Sequence, residues 1–419
     1  MLLALGLGFA LYVYRFQLFG INISVLRVVA LILAARAVIV VAMRIFREWR
    51  MRWPAAVLLV TVPLVFAINA IDYGSLSEFP SLRVPIGAHL FNMVTALAII
   101  VYLDNERKFT LALKGYVLAS ALGLWIAYYA YFFGEIPFVF LLREYGSSLS
   151  QSLDYLNVNG GIIRLTGAFF DPNFYGIYLL SIAIFSLWLR KYRAGSRWYV
   201  LLAVVSVFSI LMTASRTAMA GLISAYLVYI FCMSTNKMMH IKLLAVISLC
   251  LVTVIIFNAS SSRVFDFASV ADRFHFYETA WKAFQANVFV GGGSISVLDL
   301  ASGVATAHMV YLSLLAKYGL LGTGIYLIFV FCPLISIYVF WNETKESYRN
   351  LVLLIFIPLA VMYLSYDFLS FLEFEYFLFA IGYAVVVYRF ALKPEPTGER
   401  DGAVSGLPLN YDGGSVKPG

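Results

Sequence analysis

The chain has 419 residues, 62% of them hydrophobic and 12% charged, with a net charge of +8. Soluble domains carry about a quarter charged residues, so this balance excludes a soluble protein and identifies a polytopic membrane protein. Its basic residues are dispersed among short loops, where the positive-inside rule predicts them, and no nucleic-acid partner is expected.

A hydrocarbon core takes about 20 apolar residues per helix, and the sequence predicts about twelve such runs, an all-α fold. They fall at 1–19, 22–43, 54–72, 84–103, 109–133, 165–189, 198–214, 217–233, 241–257, 308–340, 350–366 and 374–391. The first apolar stretch has no basic leader region and no small-residue cleavage site, so it reads as a first span or signal anchor. The run at 308–340 is too long for one upright helix. Gly319, Gly322 and Gly324 within it predict a lateral amphipathic piece that leads into the true span. Cys232, Cys250 and Cys332 lie inside apolar runs and read as small core residues, neither a disulfide framework nor a thiolate metal cluster.

Basic clusters set the predicted orientation. Arg44, Arg47, Arg50 and Arg52 follow the second run, Arg107 and Lys108 the fourth, and Arg190, Lys191, Arg193 and Arg197 the sixth. Lys237 and Lys242 follow the eighth run, and Lys345 and Arg349 the tenth. Every even-numbered exit is basic, which puts those loops and both termini in the cytoplasm. The loops at 134–164 and 258–307 then face the periplasm or cell exterior. The transmembrane unit is expected to end near 391. The Gly- and Pro-rich tail at 392–419 has hardly any aliphatic residues and is expected to be a disordered cytoplasmic segment.

With that orientation, four basic or titratable residues share the outward face: Arg164, Arg216, Arg273 and His308. Outward arginines run against the positive-inside statistics and need a local reason. A guanidinium matches phosphate oxygens bidentately, so several around one cavity suit a pyrophosphate. Each one taken singly also reads as an interfacial anchor, or as an ion-pair partner of Asp272, Asp367, Glu373 or Glu375. His308, an ionisable group at the mouth of a span, is a functional candidate by default. It also reads as a helix-opening residue that hydrogen-bonds a loop carbonyl. His275 is a weaker candidate with a plain surface reading, while His89 and His240 stand alone and read as structural. No HExxH, paired DxD or tetrahedral His/Cys spacing occurs, so a metal-independent site without cofactors is expected. Asp171 is expected to cap the turn that Pro172 opens. Residues 291–293, Gly-Gly-Gly, have no strand before them and read as a flexible hinge.

Four motifs carry a resemblance. RLTGAFFDPNFYG is similar to the "R.tG.f.dPN..a" pattern of the O-antigen ligase and polymerase superfamily, and LMTASRTAMAGLI to its "lT.SRga.l.l" pattern. DRFHFYETAWKAFQANVFVGGG resembles its "R...w..al......G.G" segment. AHMVYLSLLAKYGLLG resembles its histidine motif, with Met309 where Asn is usual and Lys317 where an acidic residue is common. All four occur in family order across 164–322.

The resemblance implies an integral glycosyltransferase of the bacterial inner membrane that works at the periplasmic face. Its donor would be an undecaprenyl-pyrophosphate-linked glycan, and its acceptor another glycan or lipid A core, in O-antigen, other lipopolysaccharide or exopolysaccharide biosynthesis. Membrane lipid and a chain-length regulator are the further partners it implies. On that reading Arg216, Arg273 and Arg164 handle the pyrophosphate and His308 is the general base. Asp171, Asn173, His275 and Tyr311 complete the substrate-binding set. The DPN form of the first motif and the modest loop at 258–307 look more like a polymerase than a ligase. A flippase or transporter remains a competing reading, kept alive by Arg27 and Arg36 inside the second run.

Overall fold

A computed structural model of the chain describes residues 15–18, 21–24, 53–75, 86–133, 164–165, 172–194, 196–233, 267–293, 309–364, 373–388 and 391–392. Almost all of these are helical. The helices are α1 (Trp53–Ser75), α2 (Ile86–Tyr102), α3 (Glu106–Phe133), α4 (Pro172–Leu189), α5 (Arg197–Met212), α6 (Arg216–Met233), α7 (Phe267–Ala286), α8 (Val310–Val339), α9 (Glu346–Met362) and α10 (Glu373–Val387). Among the described residues four helical segments, Trp53–Ala70, Glu106–Phe133, Pro172–Arg193 and Val310–Val339, are long and apolar enough to cross a membrane. The runs expected at 241–257 and across most of 1–19 and 22–43 lie outside the described residues, as does the tail beyond 392.

Two departures from the expected runs have local causes. Residues Arg15–Leu18 (β1) and Ile21–Ser24 (β2) pair antiparallel, with Phe16 opposite Ile23 and Leu18 opposite Ile21. The alternation Arg-Phe-Gln-Leu and Ile-Asn-Ile-Ser has the strand period of two. The sixth run begins as a helix at Pro172 instead of at 165. Proline is suited to a first helical position, where its missing N–H and fixed φ cost nothing, and Leu165 instead donates its amide to the Met212 carbonyl (3.1 Å).

α4 is the central helix and packs against α3, α5, α6 and α9. Two of its polar side chains, Tyr178 and Ser181, are paired with α3 within the core. The Tyr116 and Ser181 hydroxyls lie 2.7 Å apart, and the Tyr178 hydroxyl donates to Ser120 Oγ (2.9 Å). These bonds join α3 to α4 and meet the need of buried polar groups for partners. Small residues bring helices close: a Cβ on Gly176 of α4 would lie 2.3 Å from the Ala218 Cβ of α6.

The helix termini gather at two ends. At one, which we term the basic end, Arg193 forms an ion pair with Glu106 and donates to the Tyr348 hydroxyl (3.0 Å). Lys345 also reaches Glu106 (3.3 Å), and its amide donates to the Ala391 carbonyl (2.7 Å). Trp188 Nε1 donates to the Ser347 carbonyl (2.6 Å). The loops after the fourth, sixth and tenth predicted runs therefore meet here, together with the end of the last helix. At the opposite, hairpin end, the turn between α5 and α6 meets the start of α4, and the start of α8 meets the end of α9.

α8 cannot be straight. Its first amide, Val310, donates to the Tyr363 carbonyl just past α9 (3.0 Å), and Thr344 just after α8 donates to Phe340 ahead of the α9 start. Both ends of α8 are thus tied to the two ends of a 17-residue helix about 25 Å long, whereas its own 30 residues would span about 45 Å. The break is at Gly319 (φ 60°, ψ −166°). Residues 320–339 supply about 30 Å, one bilayer crossing, so 310–318 turns across the hairpin end. This is the lateral piece that the glycines predict.

Candidate functional site

The turn between α5 and α6 is held by side chains of its own sequence, Thr-Ala-Ser-Arg. Thr213 Oγ1 donates to the Ile210 carbonyl (2.7 Å) and accepts from the Ser215 amide (3.2 Å). Ala214 takes φ 48°, a costly conformation for a residue with a Cβ. Ser215 caps α6: its Oγ accepts from the Ala218 amide (3.1 Å) and donates to Asn173 Oδ1 (2.6 Å) at the start of α4.

Arg164 closes the other side of this turn. Its Nε donates to the Thr213 carbonyl (2.8 Å) and a terminal nitrogen donates to the Ala214 carbonyl (3.3 Å). These groups follow the C-terminus of α5, where unpaired carbonyls and the helix dipole favour a cation. Arg216 occupies the first position of α6 and is exposed. The N-termini of α4 and α6, each with partial positive charge, therefore converge through Asn173 and Ser215 beside an exposed guanidinium. Such a locus suits an anion.

A second part of this end is built from backbone alone. Gly292 and Gly293 donate their amides to the carbonyls of Ala316 and Lys317 (both 2.9 Å). Leu320 and Leu321 donate to the carbonyls of Val288 (2.8 Å) and Phe289 (3.1 Å). In an uninterrupted α8 the amides of 320 and 321 would point at the carbonyls of 316 and 317. Residues 288–293 thus enter the break and supply a partner for each of these four groups. A Cβ on Gly291 (φ 76°) would lie 2.4 Å from the Lys317 carbonyl carbon, and one on Gly319 2.4 Å from that of Phe289. The 291–293 segment is therefore a hydrogen-bonded clasp, not the hinge its composition predicts.

α7 packs on the lateral piece through Ala280 and Ala316, both buried. Arg273 lies on α7, the helix expected for it. His275 is exposed on the same helix, which agrees with its surface reading. Glu278 is ion-paired with Lys282 (2.6 Å); that bond and charge, with His275 adding to them, hold its carboxyl below the ordinary range. Tyr311 is half-buried and donates its hydroxyl to the Ala360 carbonyl (3.0 Å). His308 and Asp171 lie outside the described residues, as does the side chain of Arg273.

Sequence reasoning missed several contributors. Ser215 carried an N-cap signal, a serine directly before an apolar helical run. Among the described residues the buried charged side chains are Lys317, 3% exposed, and Glu375, fully buried. Lys317 stood out in the sequence only as a departure from the histidine motif. Glu375 accepts from the Tyr363 hydroxyl (3.3 Å), which no local pattern announces.

Residues 200–327 match the O-antigen ligase family. This match supports membership of the O-antigen ligase and polymerase superfamily. That match covers most of α5, all of α6 and α7, the clasp, the lateral piece and the first turns of the crossing part of α8. It therefore takes in Arg216, Arg273, His275, His308 and Tyr311, and leaves Arg164, Asp171 and Asn173 outside. No curated protein matches the chain. The match and the apolar helices together point to a membrane protein with ligase- or polymerase-type function in general.

Proposed function

We propose that the chain polymerises undecaprenyl-pyrophosphate-linked oligosaccharide repeat units at the periplasmic face of the bacterial inner membrane. The observation that carries this reading is the convergence of the family-matched segment with the α4 start at one end of the bundle, around Arg216. The opposite end gathers Arg193 and Lys345 at Glu106, with Arg349 against Trp341 beside the α9 start, which fits a cytoplasmic surface under the positive-inside rule. The hairpin end then faces outward.

The transfer joins an acceptor hydroxyl oxygen to the anomeric carbon of the donor while the bond from that carbon to the pyrophosphate oxygen breaks. His308 takes the hydroxyl proton, since an imidazole titrates near the working pH. The pyrophosphate leaves on its lipid, and its added negative charge is met by Arg216 and Arg273 in a water-poor setting, where fixed charge contributes most. Arg164, engaged with the Thr213 and Ala214 carbonyls, holds the Arg216 turn in place. Asp171, Asn173, His275 and Tyr311 line the substrate path, and no metal takes part.

Purified protein in lipid nanodiscs, given lipid-linked single repeats, is expected to form longer lipid-linked glycan without an ion gradient and in the presence of EDTA. Arg216→Ala and His308→Ala are expected to lower turnover at least a hundredfold. Wild-type turnover in both variants would remove these residues from the site. The description of the matched family, O-antigen ligase, favours transfer to lipid A core as the second reading. A deletion strain separates the two: accumulated single lipid-linked repeats indicate a polymerase, and long lipid-linked polymer beside bare core a ligase.

A further inference from the structure

The clasp joins the backbones of α7 and α8 at a point where each chain excludes a side chain from the other. Val288 and Phe289, just past α7, meet Leu320 and Leu321 beyond the Gly319 break, while Ala280 within α7 packs on Ala316 ahead of it. Arg273 lies two turns before Ala280 on α7, and Tyr311 lies in the first turn of the lateral piece.

We infer that Gly291 and Gly319 are positioning residues for the transfer reaction: the close approach of each to the opposing backbone locks α7, which carries Arg273, and residues 310–318, which carry Tyr311, into one unit. Three physical features support this. The four crossing hydrogen bonds satisfy groups that a helix break exposes near the membrane interface, where unsatisfied backbone is costly. Phe289, Val290, Leu320 and Leu321 around the crossing are all exposed apolar side chains, the surface expected against lipid. Neither glycine tolerates a methyl group without moving the opposing backbone, because the nearest atoms are main-chain carbonyl groups and not flexible side-chain ends. A shift of about 1 Å in catalytic geometry costs on the order of a hundredfold in rate.

The inference rests on the proposed glycan transfer, and its test separates the two. In a chain with Cys232, Cys250 and Cys332 replaced by Ala, Ala280→Cys and Ala316→Cys are expected to form a disulfide in native membranes. Turnover with the bond closed is expected to stay within twofold of the reduced protein. Gly291→Ala and Gly319→Ala are each expected to lower turnover per folded molecule at least tenfold, with the KM for lipid-linked repeats within twofold. Closing the disulfide in the Gly291→Ala chain is expected to recover at least half of the lost rate and reduction to remove it again, a reversible rescue that a defect confined to folding yield would not show. If Gly291→Ala is not recovered from membranes, Ala280→Met, which wedges the helices apart and leaves both glycines intact, is expected to give the same loss in turnover. Wild-type turnover in the glycine variants, or in Ala280→Met where it takes their place, overturns the inference, as does a closed disulfide that abolishes turnover. Absence of glycosidic product from the unmodified chain, with the disulfide still forming, would reject the proposed function and leave the packing of α7 on the lateral piece standing.

Discussion

Arg164 and Ser215 each satisfy more than one backbone or side-chain group at the turn that presents Arg216. Arg164 holds two successive carbonyls, and Ser215 links the α6 amide of Ala218 to Asn173 of α4. Arg164→Ala is expected to destabilise the protein by about 1.5 kcal/mol, the low end for hydrogen bonds from a charged group because the side chain is half-exposed. Arg164→Lys keeps the charge but not the planar fork, and is expected to recover less than half of that loss. Ser215→Ala removes a helix cap and is expected to cost about 1 kcal/mol. Thermal unfolding in detergent measures all three. A loss in Ser215→Ala no greater than in an exposed control such as Ser196→Ala, which caps α5 at its other end, would show that the link to Asn173 adds nothing.

Between elements the decisive quantity is distance of approach. The α4–α6 contact at Gly176 leaves no room for a second methyl facing Ala218. Gly176→Ala is expected to cost about 1–3 kcal/mol through overpacking. The exchange Gly176→Ala with Ala218→Gly restores one methyl at the contact and is expected to recover most of the loss. Additive losses in the double variant would show that the two positions do not oppose each other. Gly221 provides a contrast, since its added Cβ would meet the Met362 thioether, a flexible end that can move aside.

For the whole molecule the two ends predict sidedness. In a cysteine-free chain, Phe274→Cys on α7 is expected to react with a membrane-impermeant maleimide in intact spheroplasts. Glu343→Cys, exposed in the connection between α8 and α9, is expected to react only after permeabilisation. The reverse pattern would place Arg216 on the cytoplasmic side and reject a periplasmic site.

The sequence by itself determined the helical class, the positions of most described helices and the division of basic loops from the Arg216 turn. Hydropathy and charge act residue by residue along the chain, so one dimension suffices to read them. It also announced the lateral piece of α8 through Gly319 and the excess length of its run. The four motifs brought the family into view because their spacing is itself sequential. Other features belong to three dimensions. Arg164 meets carbonyls at 213 and 214, and Gly291 lies against Lys317; no window on the sequence contains both members of either pair. The same holds for 291–293: three glycines signal freedom when alone, and only the tertiary structure supplied the broken helical ladder of α8 that fixes them. Backbone hydrogen bonds carry no residue identity, so a clasp made of them leaves no trace in the sequence beyond the glycines that make room for it.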